Sequence, residues 1–316
     1  MAERVLVTGG AGFIGSHIAD GYLAEGFEVA VLDNLSSGRR ENVSRDAEFI
    51  EADIRSEKAR QAIARGGFTV LNHHAAQMDV RVSVDDPMFD ADTNIMGLLN
   101  LLQGARDGEV ERVVFASSGG VVYGESDALP HPETAPKLPV SPYGVSKLTS
   151  EYYLAAYAQM HGLRAVSLRY ANVYGPRQSP HGEAGVVAIF GSRLLRGTEL
   201  TIYGDGAQTR DYVFVGDVMR ANMVATRWTP PGVTSLDDLA FNVGTGVETT
   251  VNELAQSLIA AAGAKVRVRH APARPGELQR SAVDATKAGK DLGWRPTMTL
   301  SDGLRQTYEW IAEEAA

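Results

Sequence analysis

The feature that most constrains this chain is the stretch at residues 4–18, Arg-Val-Leu-Val-Thr-Gly-Gly-Ala-Gly-Phe-Ile-Gly-Ser-His-Ile. Val5, Leu6 and Val7 form a short apolar run of β character. Gly9, Gly10, Gly12 and Gly15 follow, and then an amphipathic pattern begins, so the reading is strand, tight turn, helix. Such a turn lets the backbone approach a pyrophosphate, whose charge is met by free N–H groups and the positive dipole end of the next helix. Glycine spacing alone would equally suit a plain turn. What discriminates is residues 28–33, a second apolar strand ending in Asp33 about 20 residues after the glycines, where a carboxylate can hold the hydroxyls of an adenosine ribose. Together they predict a dinucleotide site.

Strand and helix keep alternating. Residues 47–52, 68–73, 112–116 and 164–170 read as strands, and residues 89–106 and 143–161 as helices, with Gly162 closing the second. Right-handed βαβ units of this kind build an α/β fold, a Rossmann-like doubly wound parallel sheet covered on both faces. Beyond residue 172 the rhythm loosens, with a helix near 186–196 and Pro-rich loops at 229–232 and 271–276. The expected division is a dinucleotide-binding domain at 1–171 and a smaller C-terminal α/β substrate lobe, mainly 172–316, with some chain crossing back. The ligand crevice should lie between them at the carboxyl ends of the strands.

With 316 residues, 44% of them hydrophobic, the chain can bury substantial cores. No apolar run approaches the roughly 18 to 20 residues that cross a bilayer, and no charge-then-apolar leader opens the sequence, so a soluble, cytoplasmic protein without a membrane partner is expected. There is no cysteine, which excludes disulfides and thiolate metal sites. His73, His74, His161, His181 and His270 form no ligand-spaced cluster, so no metal is expected. A net charge of -9 argues against nucleic acid as a partner, and an anionic substrate would need local positive charge.

The decisive local motif is Ser141-Pro142-Tyr143-Gly144-Val145-Ser146-Lys147. Pro142 disfavours helix at Ser141, so a helix should start near Tyr143 and carry Tyr143 and Lys147, four residues apart, on one face. A phenol titrating near 10 is a poor base at neutral pH, but a nearby ammonium and a cationic nicotinamide both favour its phenolate. Tyr143 is thus a candidate acid/base. On an isolated amphipathic helix the same pair would be a surface Tyr and Lys; behind a dinucleotide-binding half it reads as chemistry.

Across its whole length the chain resembles the extended short-chain dehydrogenases/reductases, and among them the UDP-glucose 4-epimerases. The resemblance rests on Thr8-Gly-Gly-Ala-Gly-Phe-Ile-Gly15, Asp33-Asn-Leu-Ser-Ser-Gly38, Asp53-Ile54, His74-Ala-Ala-Gln77, Asn94 and Tyr143-x-x-x-Lys147. It continues through Arg169-Tyr-Ala-Asn-Val-Tyr-Gly-Pro176, Gly206-Ala-Gln-Thr-Arg-Asp-Tyr-Val213 and Arg274-Pro-Gly-Glu277. It implies NAD against Gly9, Gly12, Phe13, Ile14 and Gly15, against Asp33, Asn34, Leu35, Ser36, Ser37 and Gly38, and against Asp53 and Ile54. It also implies contacts from His74, Ala75, Ala76, Gln77, Asn94, Ser117, Tyr143, Lys147 and Tyr170. An acid at 33 favours NAD over its 2′-phosphate, with Arg39 and Arg40 as counter-evidence. Met78 stands where some relatives carry Lys.

For a UDP-sugar substrate the resemblance implies Asn172 at the phosphates, Gly185 and Val186 nearby, Tyr203 beside uracil, Arg210 and Arg274 on pyrophosphate, Glu277 on the uridine ribose and Ser281 gating the space around the sugar C2 substituent. Guanidinium forks suit phosphate oxygens; an ion pair between Arg210 and Asp211 is the alternative. The hydroxyl assisting Tyr143 is Ser118 when counted from Phe115 and Gly119 when counted from Tyr123; Ser118 is chosen because glycine has no donor, with Ser117 as reserve. The implied reaction is 4-epimerisation through a transient 4-keto sugar, extending to UDP-GlcNAc and UDP-GalNAc because Ser281 is small. A 4,6-dehydratase would place Asp-Glu where this chain has Gly119-Gly120. A UDP-glucuronate 4-epimerase is the runner-up, since Arg81, Arg177 or Arg280 could reach a C6 carboxylate. A non-catalytic NAD-binding protein is disfavoured by the presence of Tyr143 and Lys147. By analogy only, the helices at 89–106 and 143–161 pair two copies as a homodimer.

Overall fold

The computed structural model describes residues 3–126, 128–180, 185–230, 232–273 and 278–315. Its first six strands are β1 (Arg4–Thr8), β2 (Glu28–Asp33), β3 (Glu48–Glu51), β4 (Val70–His73), β5 (Arg112–Ser118) and β6 (Arg164–Tyr170). The chain continues with β7 (Asn172–Tyr174), β8 (Leu200–Tyr203), β9 (Thr209–Arg210), β10 (Tyr212–Phe214), β11 (Ala240–Val243), β12 (Thr249–Thr250) and β13 (Val268–Ala271). A seven-stranded sheet runs in the order β11-β6-β5-β4-β1-β2-β3, every neighbour parallel.

Both faces of that sheet are covered, which is why its strands read as nearly unbroken apolar runs. Successive side chains point to opposite faces. Leu6, Ala30 and Leu32 pack on one side with α2 (Glu57–Arg65), α5 (Gly97–Asp107) and α6 (Pro142–His161), while Val5, Val7, Val29 and Val31 pack on the other with α1 (Phe13–Ala24) and α8 (Val215–Arg227). Strand order reverses between β1 and β4, so the crevice at the carboxyl ends of those two strands is where the topology opens a ligand site.

A second core joins Tyr174, Phe190, Leu200, Ile202, Tyr212, Phe214, Leu254, Leu258 and Leu304. It lies among α7 (Val186–Leu195), α9 (Val251–Ala262) and α10 (Leu300–Glu314), with the pairs β7-β10, β9-β12 and β8-β13. In the same chain α8 packs on α1, and β11 extends the large sheet beside β6.

The helix expected at 89–106 differs in form. It starts two residues earlier, as α4 (Pro87–Ala91) capped by the Asp86 carboxylate, and passes through a π turn at Asp92–Met96 before α5. Periodicity at 3.6 residues cannot register that extra residue. A short helix α3 (Val80–Asp85), capped by Asp79, precedes it. By contrast α6 follows its local signals: Ser141 Oγ accepts from Gly144 N, Pro142 takes the first helical position, and Gly162 ends it at φ 67°. Ala271, expected in a loop, instead ends β13 in register with Tyr203.

Candidate active site

The β1–α1 turn is built so that no side chain fits in it. A Cβ on Gly15 would lie 2.2 Å from Gly9 O, and one on Gly9, whose φ is +69°, 2.6 Å from Ala75 N. The turn is therefore pressed onto the chain leaving β4. Gly12 caps α1 without a side-chain acceptor, ahead of Phe13 and Ile14. Asp33 Oδ2 accepts from Ala11 N at 3.0 Å and its Oδ1 from Leu35 N at 2.8 Å, which bolts the end of β2 to the turn. Gly38 packs on Ala11, and Ser36 and Ser37 before it are exposed. Asn34 donates to Asp53, whose carboxyl the hydrogen bonds of Arg55 hold down at about 2, and Ile54 is buried beside it. Arg40 stacks on the Phe49 ring at 4.6 Å.

At the end of β4, His74 Nε2 meets Tyr170 Oη at 3.1 Å, and Asn222 Nδ2 donates to the same Oη at 2.8 Å. Tyr170 therefore gives its proton to Nε2, and the histidine proton sits on Nδ1 by assignment. Burial pushes the His74 imidazolium down to about 3. That Nδ1 is buried with no partner among the described residues. An orphaned donor beside a glycine cradle fits a bound dinucleotide, which would satisfy it. Ala75 and Ala76 continue the segment; Gln77 N donates to Asn94 Oδ1 on the π turn, and Asn94 Nδ2 returns to Gln77 O, both at 2.9 Å. Met78 is exposed.

Tyr143 is half-buried on the first turn of α6, and Lys147 is buried one turn on. Lys147 Nζ donates to Ala116 O at 2.9 Å, 4.8 Å from the Phe115 ring centroid and 5.7 Å from that of Tyr143. Burial depresses its ammonium to about 8, against the opposing charges of Asp90 and Glu151. Strand alternation separates the two serines. Ser117 is buried and donates to Glu151, which also holds Arg169 Nε and Nη2 in a fully buried ion pair. Ser118 faces the other way: a Cβ on Gly120 would lie 3.8 Å from Ser118 Oγ and 4.0 Å from Asn172 Oδ1, so these three border one space. Gly119 has no such freedom, its N donating to Tyr170 O and its Cα packed on Val283.

In the second lobe Asn172 N donates to Asp211 O at the start of β7, and Tyr203 ends β8 partly exposed. Arg210 on β9 donates to Thr209 O. The buried Asp211 carboxylate instead accepts from Thr245, Gly246 and Val283. Gly185 caps α7 ahead of Val186, packed on Gln178. Ser281 is buried next to Ala282 and Val283, which bridge to His131. Arg274 and Glu277 lie outside the described residues. Sequence reasoning missed Asp90, Glu151 and Asn222. Glu151 sits four residues after Lys147 on the same helical face, and Asp90 four before Asn94, which was the available signal.

A doubly wound sheet, a glycine cradle at its switch point and a Tyr-x-x-x-Lys helix beside the end of β5 define an extended short-chain dehydrogenase/reductase. The chain belongs to the NAD-dependent epimerase and dehydratase family, whose model described as GDP-mannose 4,6 dehydratase matches residues 6–307. It is similar to the UDP-glucose 4-epimerase of Mycolicibacterium smegmatis, 45% identical over 317 residues that cover 99% of each chain. The solved UDP-glucose 4-epimerase of Thermotoga maritima, with UDP-glucose, is 45% identical with a TM-score of 0.94, covering 99% of this chain and 100% of that one. That of Thermus thermophilus, in complex with NAD, is 47% identical with a TM-score of 0.89, covering 97% and 98%.

Proposed function

We propose that the protein is an NAD-dependent isomerase that epimerises UDP-hexoses at C4. The observation that carries this is Tyr143 above the buried Lys147, with Ser118 turned into the space bordered by Gly120 and Asn172, in a chain nearly half identical to 4-epimerases along its whole length. The glycine turn, Asp33, the 34–38 loop, Asp53, the 74–77 segment and Asn94 hold the dinucleotide, whose ribose hydroxyls an acid at 33 favours over a 2′-phosphate. Arg40 is occupied by Phe49, which weakens the case for NADP. When bound, NAD supplies reversible hydride acceptance at sugar C4, so no net oxidant is needed.

Tyr143 as phenolate takes the proton of the 4-hydroxyl and later returns it to the opposite epimer; Lys147 as ammonium favours that phenolate; Ser118 holds the reacting oxygen. Between the two half-reactions the 4-keto sugar must turn over, and Gly120 leaves volume for it. Asn172, Gly185, Val186, Tyr203, Arg210, Arg274 and Glu277 hold the UDP half. The small Ser281 extends the range to UDP-GlcNAc and UDP-GalNAc. Dehydration would need an acid and a base at 119 and 120, where there are only glycines. Less support remains for the uronate reading, since Arg81 pairs with Asp79, Arg177 with Asp20 and Arg280 with Glu248, and a C6 carboxylate would have to displace one of them.

A homodimer is the assembly that an exposed apolar surface supports. Met88, Phe89, Met96, Val145, Tyr152, Tyr153 and Met160 are exposed on α4, the π turn and α6, an apolar face that a second copy would cover. The functional test is to incubate the purified protein, without added cofactor, with UDP-galactose, UDP-GlcNAc and UDP-glucuronate separately, and to identify products by proton NMR. C4 epimers of the first two without net NADH are expected. Turnover of UDP-glucuronate alone, or a Tyr143→Phe variant with near-normal rates, overturns the proposal.

A further inference from the structure

Asp90 is fully buried on α4, yet no Lys or Arg lies within ion-pair distance of it among the described residues. Its carboxylate is held by neutral donors only: Gln77 Nε2 at 3.0 Å and Asn94 Nδ2 at 2.9 Å on Oδ1, and Ser146 Oγ at 2.6 Å on Oδ2. Those donors come from the segment after β4, from the π turn, and from the residue preceding Lys147. Asp90 thus ties the cofactor-facing chain to the catalytic helix. A buried carboxylate without a bonded cation is costly, and it persists where its charge serves another group.

The groups facing Lys147 identify which one. Two carboxylates act on it, Asp90 from α4, bonded to the adjoining Ser146, and Glu151 one turn on in its own helix, together with the Tyr143 ring at 5.7 Å and the imidazoles of His73 and His74 at the end of β4. The imidazoles are neutral because burial holds both well down. Glu151 already has its charge met by the Arg169 guanidinium through Nε and Nη2. Asp90 is therefore the anion left without a guanidinium or ammonium partner of its own.

We propose that Asp90 is a positioning residue for the reaction, supplying the fixed negative charge that keeps Lys147 protonated beneath Tyr143 while its hydrogen bonds hold Gln77, Asn94 and Ser146 in place. This rests on the proposed roles of Tyr143 and Lys147 but can be read without turnover. The chain has six lysines, so the ε-carbon of Lys147 can be followed by NMR in lysine-labelled protein and assigned by its loss in Lys147→Arg. Removing a nearby negative charge disfavours the ammonium, so the Lys147 midpoint should fall in Asp90→Asn by about one pH unit. In Ser146→Ala, which keeps the charge and removes one bond to it, the midpoint should not fall. An unmoved midpoint in Asp90→Asn, or an equal fall in Ser146→Ala, overturns the proposal. Should Asp90→Asn fail to fold, Asp90→Ser is read in the same way. In turnover of UDP-galactose, both limbs of the kcat–pH profile should shift to lower pH in Asp90→Asn; a lowered plateau with unmoved limbs would mark a merely structural residue. If the wild type turns over no UDP-sugar, the NMR titration still decides the charge coupling, so the two readings fail separately.

Discussion

At the scale of single residues the role proposed for Ser118 sets it apart from its neighbour Ser117. Ser118→Ala removes a hydroxyl from the sugar side, so kcat should fall roughly 10- to 1,000-fold with the melting temperature unchanged. Ser117→Ala removes a donor to the buried Glu151 and should cost about 1–3 kcal/mol of stability, read as a lower melting temperature. The reverse pattern would exchange their roles. Lys147 makes catalysis and stability move in opposite directions with pH. Its ammonium titrates near 8 in the fold but near 10.5 in the unfolded chain. As pH rises through about 8 the phenolate loses its support and turnover should fall. Between those values the unfolded chain binds the extra proton, so stability rises, by about 3 kcal/mol in all. Lys147→Met should abolish that rise in urea titrations between pH 8 and 10; a retained rise would refute the assignment.

At the scale of elements, the turn and the catalytic helix were legible because their signals are local. Gly9 to Gly15 need a tight bend, and Ser141-Pro142 with Gly162 marks both ends of α6 without reference to any distant residue. Gly15→Ala should therefore damage the turn directly, since its Cβ would meet Gly9 O at 2.2 Å. Loss of retained NAD, measured by absorbance of the denatured supernatant, is the expected outcome, with a sheet that still folds by circular dichroism. The π turn was not legible. It turns Asn94 and Asp90 inward together, and what selects it is their long-range bonding to Gln77 and Ser146. The pairing of Glu151 with Arg169 joins α6 to β6 in the same way. Glu151→Gln should cost about 3 kcal/mol, because the buried guanidinium keeps only the partly buried Asp237 carboxylate at 3.2 Å as its counter-charge, and little loss in denaturant midpoint would argue that Asp237 suffices.

At the scale of the whole molecule, buried imidazoles set the acid behaviour. His74 is held at about 3 and His73 well down, whereas both titrate near 6.5 when unfolded, so the unfolded chain takes up protons first as pH falls. Stability should be lost below about pH 6.5, giving a lower melting temperature at pH 5 than at pH 7. Burial raises the Glu133 and Asp211 carboxyls and opposes this, so equal melting temperatures would mean that those two offset the histidines, and a higher one at pH 5 that they outweigh them. The apolar face on α4 and α6 predicts sedimentation as a dimer that Tyr152→Arg with Met160→Glu splits into monomers. A wild type that sediments as a monomer would leave that face without its second copy.

What the sequence determined by itself is whatever depends on neighbours within a turn or a strand: the alternation of β1 to β6 with helices, the glycine cradle, Asp33 at the end of β2, and Tyr143 one turn before Lys147. Only the tertiary structure decided that β11 returns to the large sheet, that α8 covers α1, that Ser118 rather than Ser117 faces the space beside Gly120 and Asn172, and that Asp90 joins three segments at one carboxylate. The reason is physical. Propensity and periodicity act over a few residues, whereas a buried polar group takes whichever donors packing brings to it, and those of Asp90 come from up to 56 positions away.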